Sequence, residues 1–256
     1  MKIATWNVNS IRVRLEQLGK WLDKQRPDVL CLQELKAVDE AFPFDAIKEA
    51  GYFAAVHGQK TYNGVAILSR IKPVDVRRGM GADAGDPQAR LVSAKIGGAA
   101  VLNAYFPNGG TVGSESFAYK LDWMRRLREY LRKHFSPSEP LALCGDFNVA
   151  IDDKDVNRPE EWADTVLCHQ DARNGLAEIR RWGLVDVFRR HQPQCGIYSW
   201  WDYRQLGFPR NNGLRIDHIY ATKSLADRST AAEVDCDERK GQKPSDHAPV
   251  IAVFED

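Results

Sequence analysis

Short polar side chains recur at the ends of the apolar runs of this chain, and their types suit one chemistry. Asn7 closes the run 2–8, and Gln33-Glu34 closes the run 28–33. Tyr105 lies near the end of 100–106, Asp146 and Asn148 follow 141–144, Asp217 sits between Ile216 and His218, and Ser245-Asp246-His247 precedes 249–254. Strands that share a direction bring such ends to one rim, where packed scaffolds carry their reactive groups. Phosphodiester hydrolysis needs a hard cation on the phosphoryl oxygens, and Mg²⁺ is held through one or two carboxylates plus water and substrate. Glu34 suits that part. A water must also be aimed and deprotonated, which Asp146 with Asn148 two residues on could do if both face one side of an extended chain. Charge building on the phosphoryl group calls for fixed donors, and His247 and the Tyr105 hydroxyl are candidates. A histidine in that role is oriented by a carboxylate, for which Asp217 is available. Each residue alone has a plainer reading: a strand-end Asp or Glu is commonly a solvated turn former, Asn7 could be a helix cap or turn residue, and Asp246-His247 could simply open a strand.

The elements that would position these groups are legible as hydrophobic periodicity. Strand-length runs occur at 2–8, 28–33, 64–69, 91–96, 100–106, 141–144, 218–221 and 249–254. Several are continuous rather than alternating, as in strands covered on both faces. Helical spacing joins Leu15, Leu18 and Leu22, with Ser10 as candidate N-cap and Pro27 beyond the end. It also joins Phe117, Leu121, Met124, Leu127 and Leu131 after Ser114 or Ser116, and Leu176, Ile179 and Trp182 before Gly183. Strands outnumbering helices, with doubly covered strands among them, predict two packed sheets with helices outside. No linker divides the chain, and the stretch 79–87 reads as a surface loop.

Bulk properties exclude several classes. The chain has 256 residues, enough to bury a core without disulfides, and its five cysteines form no CxxC pair. Cys31, Cys144 and Cys195 lie in or beside apolar or aromatic segments and are expected to be small buried hydrophobes in a reducing cytoplasm. The first residues read as a strand rather than a signal peptide, and no run of about 18 apolar residues suggests a membrane span. Net charge is 36 − 35 = +1, so a basic DNA-coating protein is disfavoured, although a basic face can be offset by a carboxylate-rich site.

Eight segments carry a more specific signal: Thr5-Trp6-Asn7-Val8-Asn9, Cys31-Leu32-Gln33-Glu34-Leu35-Lys36, Asn63-Gly64-Val65-Ala66, Asn103 through Gly109, Gly145-Asp146-Phe147-Asn148, Tyr198-Ser199-Trp200-Trp201-Asp202-Tyr203-Arg204, Gly213-Leu214-Arg215-Ile216-Asp217 and Ser245-Asp246-His247-Ala248-Pro249. In kind and order they resemble the exonuclease III and abasic-endonuclease branch of the endonuclease–exonuclease–phosphatase superfamily, across essentially the whole chain. The resemblance implies one domain over 1–256 with a four-layered α/β sandwich: two packed mixed sheets flanked by helices, as in deoxyribonuclease I. It implies Mg²⁺, with Mn²⁺ as substitute, held by Glu34 with Asn7, and Asp246 close to the metal. Asp146 with Asn148 would handle the proton, Asp217 and His247 would pair at the scissile phosphate, and Tyr105 would contact it. Tyr62, Arg90, Asn108 and Arg204 would touch DNA, and Trp200 and Leu214 would line an apolar pocket that admits a sugar lacking its base. Adjacent tryptophans point to opposite sides of a strand, so Trp200 in the pocket leaves Trp201 buried. The implied partner is duplex DNA with abasic sites or blocked 3′ ends, cut by a monomer in the cytoplasm, at the nucleoid when on DNA. Asn9 departs from members that carry an acidic residue there, which weakens a two-metal case.

Two rivals remain at this level. One is another enzyme of the superfamily: a non-specific nuclease, a phosphoinositide phosphatase or a sphingomyelinase. These would share the Glu, Asp-x-Asn and Asp-His set but are not expected to carry the Trp200–Arg204 and Gly213–Asp217 segments. The other is a catalytically inactive DNA-binding module, against which stands the filling of every catalytic position.

Overall fold

The computed structural model describes residues 1–81 and 86–255. Two six-stranded sheets pack face to face. The first holds β1 (Lys2–Asn7), β2 (Val29–Gln33), β3 (Phe53–His57), β4 (Val65–Ser69), β11 (Ser229–Val234) and β12 (Val250–Phe254), in the order β11-β12-β1-β2-β4-β3. The second holds β5 (Val74–Arg78), β6 (Leu91–Ile96), β7 (Ala99–Tyr105), β8 (Leu141–Asp146), β9 (Leu184–Asp186) and β10 (Asp217–Thr222), in the order β5-β6-β7-β8-β10-β9. Helices α1 (Ile11–Gln25) and α2 (Phe44–Glu49) cover the first sheet, and α3 (Glu115–His134) and α5 (Gln170–Arg180) cover the second. The short helices α4 (Pro159–Trp162), α6 (Val187–His191) and α7 (Lys223–Ala226) complete the chain. The expected four-layered sandwich is therefore the fold.

Side-chain alternation builds three apolar layers. Ile3, Cys31, Ile67, Val101, Cys144 and Ile219 fill the space between the sheets. Their neighbours Ala4, Leu30, Leu32, Ala66 and Leu68 face α1 and α2, while Leu102, Leu143 and Tyr220 face α3 and α5. This is why the central strands read as unbroken apolar runs.

The four strands without such a run, β3, β5, β9 and β11, are the four sheet edges. β5 is exposed at every position, and β11 buries only Ala232. An edge strand packs on one side and meets water on the other, so it carries little apolar signal.

The helix expectations hold with local differences. Ser114 caps α3 by accepting from the Phe117 N–H. Ser10 precedes α1 but makes no side-chain cap, because its backbone has φ 94°. Cys195 is exposed, and Cys168 is the third buried cysteine instead, packed under α5. The aromatic neighbours of Cys195 turn inward without it. Residues 82–85 of the expected 79–87 loop lie outside the described residues. Among the described residues no helix is long and apolar enough to cross a membrane.

Strand direction makes one rim. β1 and β2 run parallel, with Asn7 beside Gln33, and β7 and β8 run parallel, with Tyr105 beside Asp146. β10 and β12 run antiparallel to these, so Asp217 starts its strand beside Asp146 and the Ser245–Pro249 segment enters at the same end. Under the rim a polar plug ties the sheets together. Asn103 donates to the Leu32 and Ala66 carbonyls at 2.8 Å each, and Gln33 donates to Asn103 Oδ1 at 2.7 Å and to Thr5 Oγ1 at 2.9 Å.

Candidate active site

The eight predicted catalytic and metal-binding residues meet at this rim, with Trp200 beside them. His247 Nδ1 lies 2.8 Å from Asp217 Oδ2, and its Nε2 lies 3.7 Å from Asp146 Oδ2. The Asn7 amide donates to both Glu34 Oε1 and Asp146 Oδ2 at 2.9 Å. The Tyr105 hydroxyl donates to Glu34 Oε1 at 3.0 Å. Asp246 accepts from Asn9 Nδ2 at 2.9 Å and from Trp200 Nε1 at 3.0 Å. Asp146 and Asn148 do meet, though through a turn rather than an extended chain. Asn148 has φ 49°, and its N–H donates to Asp146 Oδ1 at 2.9 Å. Gly145 before them is obligatory, since a Cβ there would lie 1.8 Å from the Ala104 carbonyl oxygen.

Charges set the protonation states. Burial by itself would lower the His247 pKa, but Asp217 foremost and then Asp146 overcome it and raise it to about 10. The ring is therefore an imidazolium at neutral pH. Burial raises Asp146 to about 7, offset in part by His247 and reinforced by Asp217. Glu34 is pushed up by burial but held below its ordinary value by the Asn7 bond and the Lys36 ammonium at 3.0 Å. Burial keeps the Tyr105 phenol neutral, with Glu34 and Asp146 adding to the effect.

The donor set fits a divalent cation. Among the described residues, the direct ion pairs of Glu34, Asp146 and Asp217 are with the His247 imidazolium and the Lys36 ammonium, two cations against the four carboxylates that include Asp246. Asp217 Oδ1 is buried and takes no hydrogen bond among the described residues. Asp146, Asp217 and His247 can bring one ligand atom each within 4.8 Å of one another. In that triad, however, His247 already stands as an imidazolium between the two carboxylates. Glu34 is the carboxylate at the mouth, its side chain 19% exposed, and it already draws a cation in Lys36.

The implied DNA-contact residues divide. Trp200 is half-buried beside His247, held by Asp246, and Trp201 is buried. Leu214 does not reach the surface. Its N–H donates to the Trp200 carbonyl and its carbonyl accepts from Trp200, which turns the side chain into the core under α3 and α5. It supports Trp200 from behind instead of lining an open pocket. Arg90 lies over the Tyr105 ring at 4.9 Å, and the Asn108 amide donates to Asn148 Oδ1 at 3.1 Å. Tyr62 is exposed on the 58–64 loop. Arg204 is exposed and paired with Asp202.

The chain belongs to the endonuclease/exonuclease/phosphatase family.

The family model matches residues 4–247. Exodeoxyribonuclease III of Haemophilus influenzae is 38% identical, over 99% of this chain and all of that protein. An AP endonuclease from Archaeoglobus fulgidus superposes with TM-score 0.97 at 41% identity, covering both chains completely. A 3′ phosphatase from Neisseria, solved bound to product DNA hairpin, superposes with TM-score 0.96 at 41% identity over 100% of this chain and 99% of that one.

Ser199, Lys36 and Arg215 stand in the motif segments, but the sequence assigned them no role, and Lys120 lies outside those segments. Ser199 donates to Asp217 Oδ2 at 2.7 Å and accepts from the Asp217 N–H at 3.0 Å, fixing that carboxylate. Lys36 bridges Glu34 and Asn9. Arg215, fully buried, is held by Asp155 and Asp186 and anchors the start of β10. Lys120 stands on the apolar stripe of α3, and a lysine at a stripe position was the signal available for it.

Proposed function

We propose that this chain is a Mg²⁺-dependent DNA-repair phosphodiesterase, a single catalytic domain over 1–256, that hydrolyses the backbone 5′ to abasic sites in duplex DNA and trims blocked 3′ ends. The observation that carries the reading is His247 held between Asp217 and Asp146 beside the Asn7–Glu34 pair. Glu34 and Asn7, with Asp246 nearby, would hold the ion, and Mn²⁺ would substitute for Mg²⁺. The ion supplies charge neutralisation at the phosphoryl oxygens. Asp146, with its pKa near neutrality, takes the proton of the attacking water, and Asn148 orients that water. The His247 imidazolium and the Tyr105 phenol donate to the phosphoryl oxygens as charge accumulates. Trp200 provides an aromatic wall for a sugar without a base, and Arg90, Tyr62, Asn108 and Arg204 follow the DNA strand. The relatives' names support a DNA substrate. The protein would act as a monomer, in the cytoplasm and at the nucleoid.

The test is incision of a duplex oligonucleotide bearing one abasic analogue, run with Mg²⁺, Mn²⁺ or EDTA beside undamaged and 3′-phosphate-ended duplexes. Metal-dependent incision at the analogue is expected. Incision that survives EDTA, or none with either metal, refutes the reading.

A further inference from the structure

Lys120 is fully buried on α3, and its ammonium meets three carbonyls. Nζ donates to Asn108 O at 3.0 Å, Asn148 O at 2.7 Å and Val166 O at 2.7 Å. The three belong to different segments: the loop after β7, the loop after β8 and the approach to α5. The first two bear the Asn108 and Asn148 amides, which touch at 3.1 Å. Asn148 is in the left-handed region at φ 49°, a conformation that costs free energy and persists only when its surroundings fix it. The Asn148 carbonyl bond to Lys120 is one such restraint. The Asn148 side chain in turn donates to the Phe106 carbonyl at 3.0 Å, so both loops lock on each other above the ammonium. Gly109 leaves room for this arrangement, since a Cβ there would lie 2.9 Å from Lys120 Cδ.

A buried ammonium is costly, and burial lowers the Lys120 pKa to about 7, with Asp146 acting against it. An apolar residue would fill this stripe position of α3 at less cost. We infer that Lys120 is a positioning residue for the reaction: it fixes the Asn108–Asn148 amide pair at the distance from Asp146 that aims the attacking water. The inference rests on the proposed roles of Asp146 and Asn148. It assigns Lys120 no contact with substrate.

Lys120→Met keeps the length of the side chain and removes every donor. It is compared with Lys120→Gln, which keeps two N–H donors, with Asn148→Ala, and with the double variant Lys120→Met/Asn148→Ala, all in the full chain. A displacement of about 1 Å at a reacting group can cost about 10²-fold in rate. Lys120→Met is expected to lower kcat on the abasic-analogue duplex by roughly 10- to 100-fold, with KM within about threefold and Lys120→Gln in between. The double variant is expected to be little slower than the slower single one, because residues that act as a unit are non-additive. Far-ultraviolet circular dichroism and melting establish that each variant is folded at the assay temperature. Unchanged kcat in a folded variant, or losses that multiply in the double variant, overturns the inference. So does a chain that folds with neither substitution, which would make Lys120 a determinant of the fold. An inactive wild-type chain would instead refute the proposed function itself.

Discussion

Replacing Asp217 with Asn should disable His247 through its charge. The two are 2.8 Å apart, His247 is 3% exposed and Asp217 0%, so solvent screens the pair little. Raising the imidazole from 6.5 to about 10 corresponds to roughly 5 kcal/mol favouring the charged form, at about 1.4 kcal/mol per pH unit. Asp217 contributes most of this, ahead of Asp146 and Asp246, and does so against burial. An amide at 217 keeps the shape and removes the largest favourable contribution, so the ring loses its charge at a lower pH than in the wild type. The raised pKa means that wild-type His247 stays charged until the pH climbs through about 10. Asp217→Asn moves that loss to lower pH. Loss of one preorganised donor costs roughly 10²–10³ in kcat. His247→Asn should cost a similar amount, and the double variant should add little, so the coupling should about equal one single loss, roughly 3–4 kcal/mol. The assays are single-turnover cleavage of the abasic-analogue duplex from pH 5.5 to 10 and proton NMR titration of His247. Asp217→Asn should regain part of its deficit at the acid end. Coupling near zero, or an imidazole titration unmoved by Asp217→Asn, refutes the reasoning. A higher Mg²⁺ requirement with an unmoved imidazole would make Asp217 a metal ligand.

Three further outcomes follow from the same geometry. Glu34→Gln removes the mouth carboxylate that pairs with Lys36. Since even outer partners of a metal ligand are worth about 10–100-fold, half-saturating Mg²⁺ should rise at least that much with melting unchanged, and normal turnover at low Mg²⁺ would remove Glu34 from the metal site. Arg90→Ala should flatten the slope of log affinity for duplex DNA against log salt by roughly one unit, as expected for one lost phosphate contact, whereas an unchanged slope would confine Arg90 to packing on Tyr105. His218 is fully buried with its pKa lowered to about 4, by burial first and then by Arg215. Its folded value lies below its unfolded one, so it contributes stability that is fully present above about pH 6.5 and lost as pH falls through about 4, at most about 3 kcal/mol. Denaturant titrations of His218→Gln should show a weaker acid loss across that window, and an unchanged pH profile would count against the assignment.

The sequence by itself determined the central strands, the covering helices and the site's residue types. Strands such as β2 and β8 are buried on both faces, so their runs are apolar without interruption, and the polar group that ends each run stands out. The motif residues from Asn7 to His247 were legible for the same reason. Other features were invisible because they arise between segments far apart in sequence. The edge strands β3, β5, β9 and β11 owe their conformation to the ladder beside them, which local composition does not encode. Leu214 looked like a pocket residue until its backbone pairing with Trp200 turned it inward. Asp146 and Asn148 were matched by spacing, but a left-handed turn joins them, with Lys120 from α3 holding its carbonyl. Above all, the charge state of His247 is a tertiary property. Asp217 and Asp146 lie 30 and 101 residues away in sequence, and only strand register and burial place them where water cannot screen their charges.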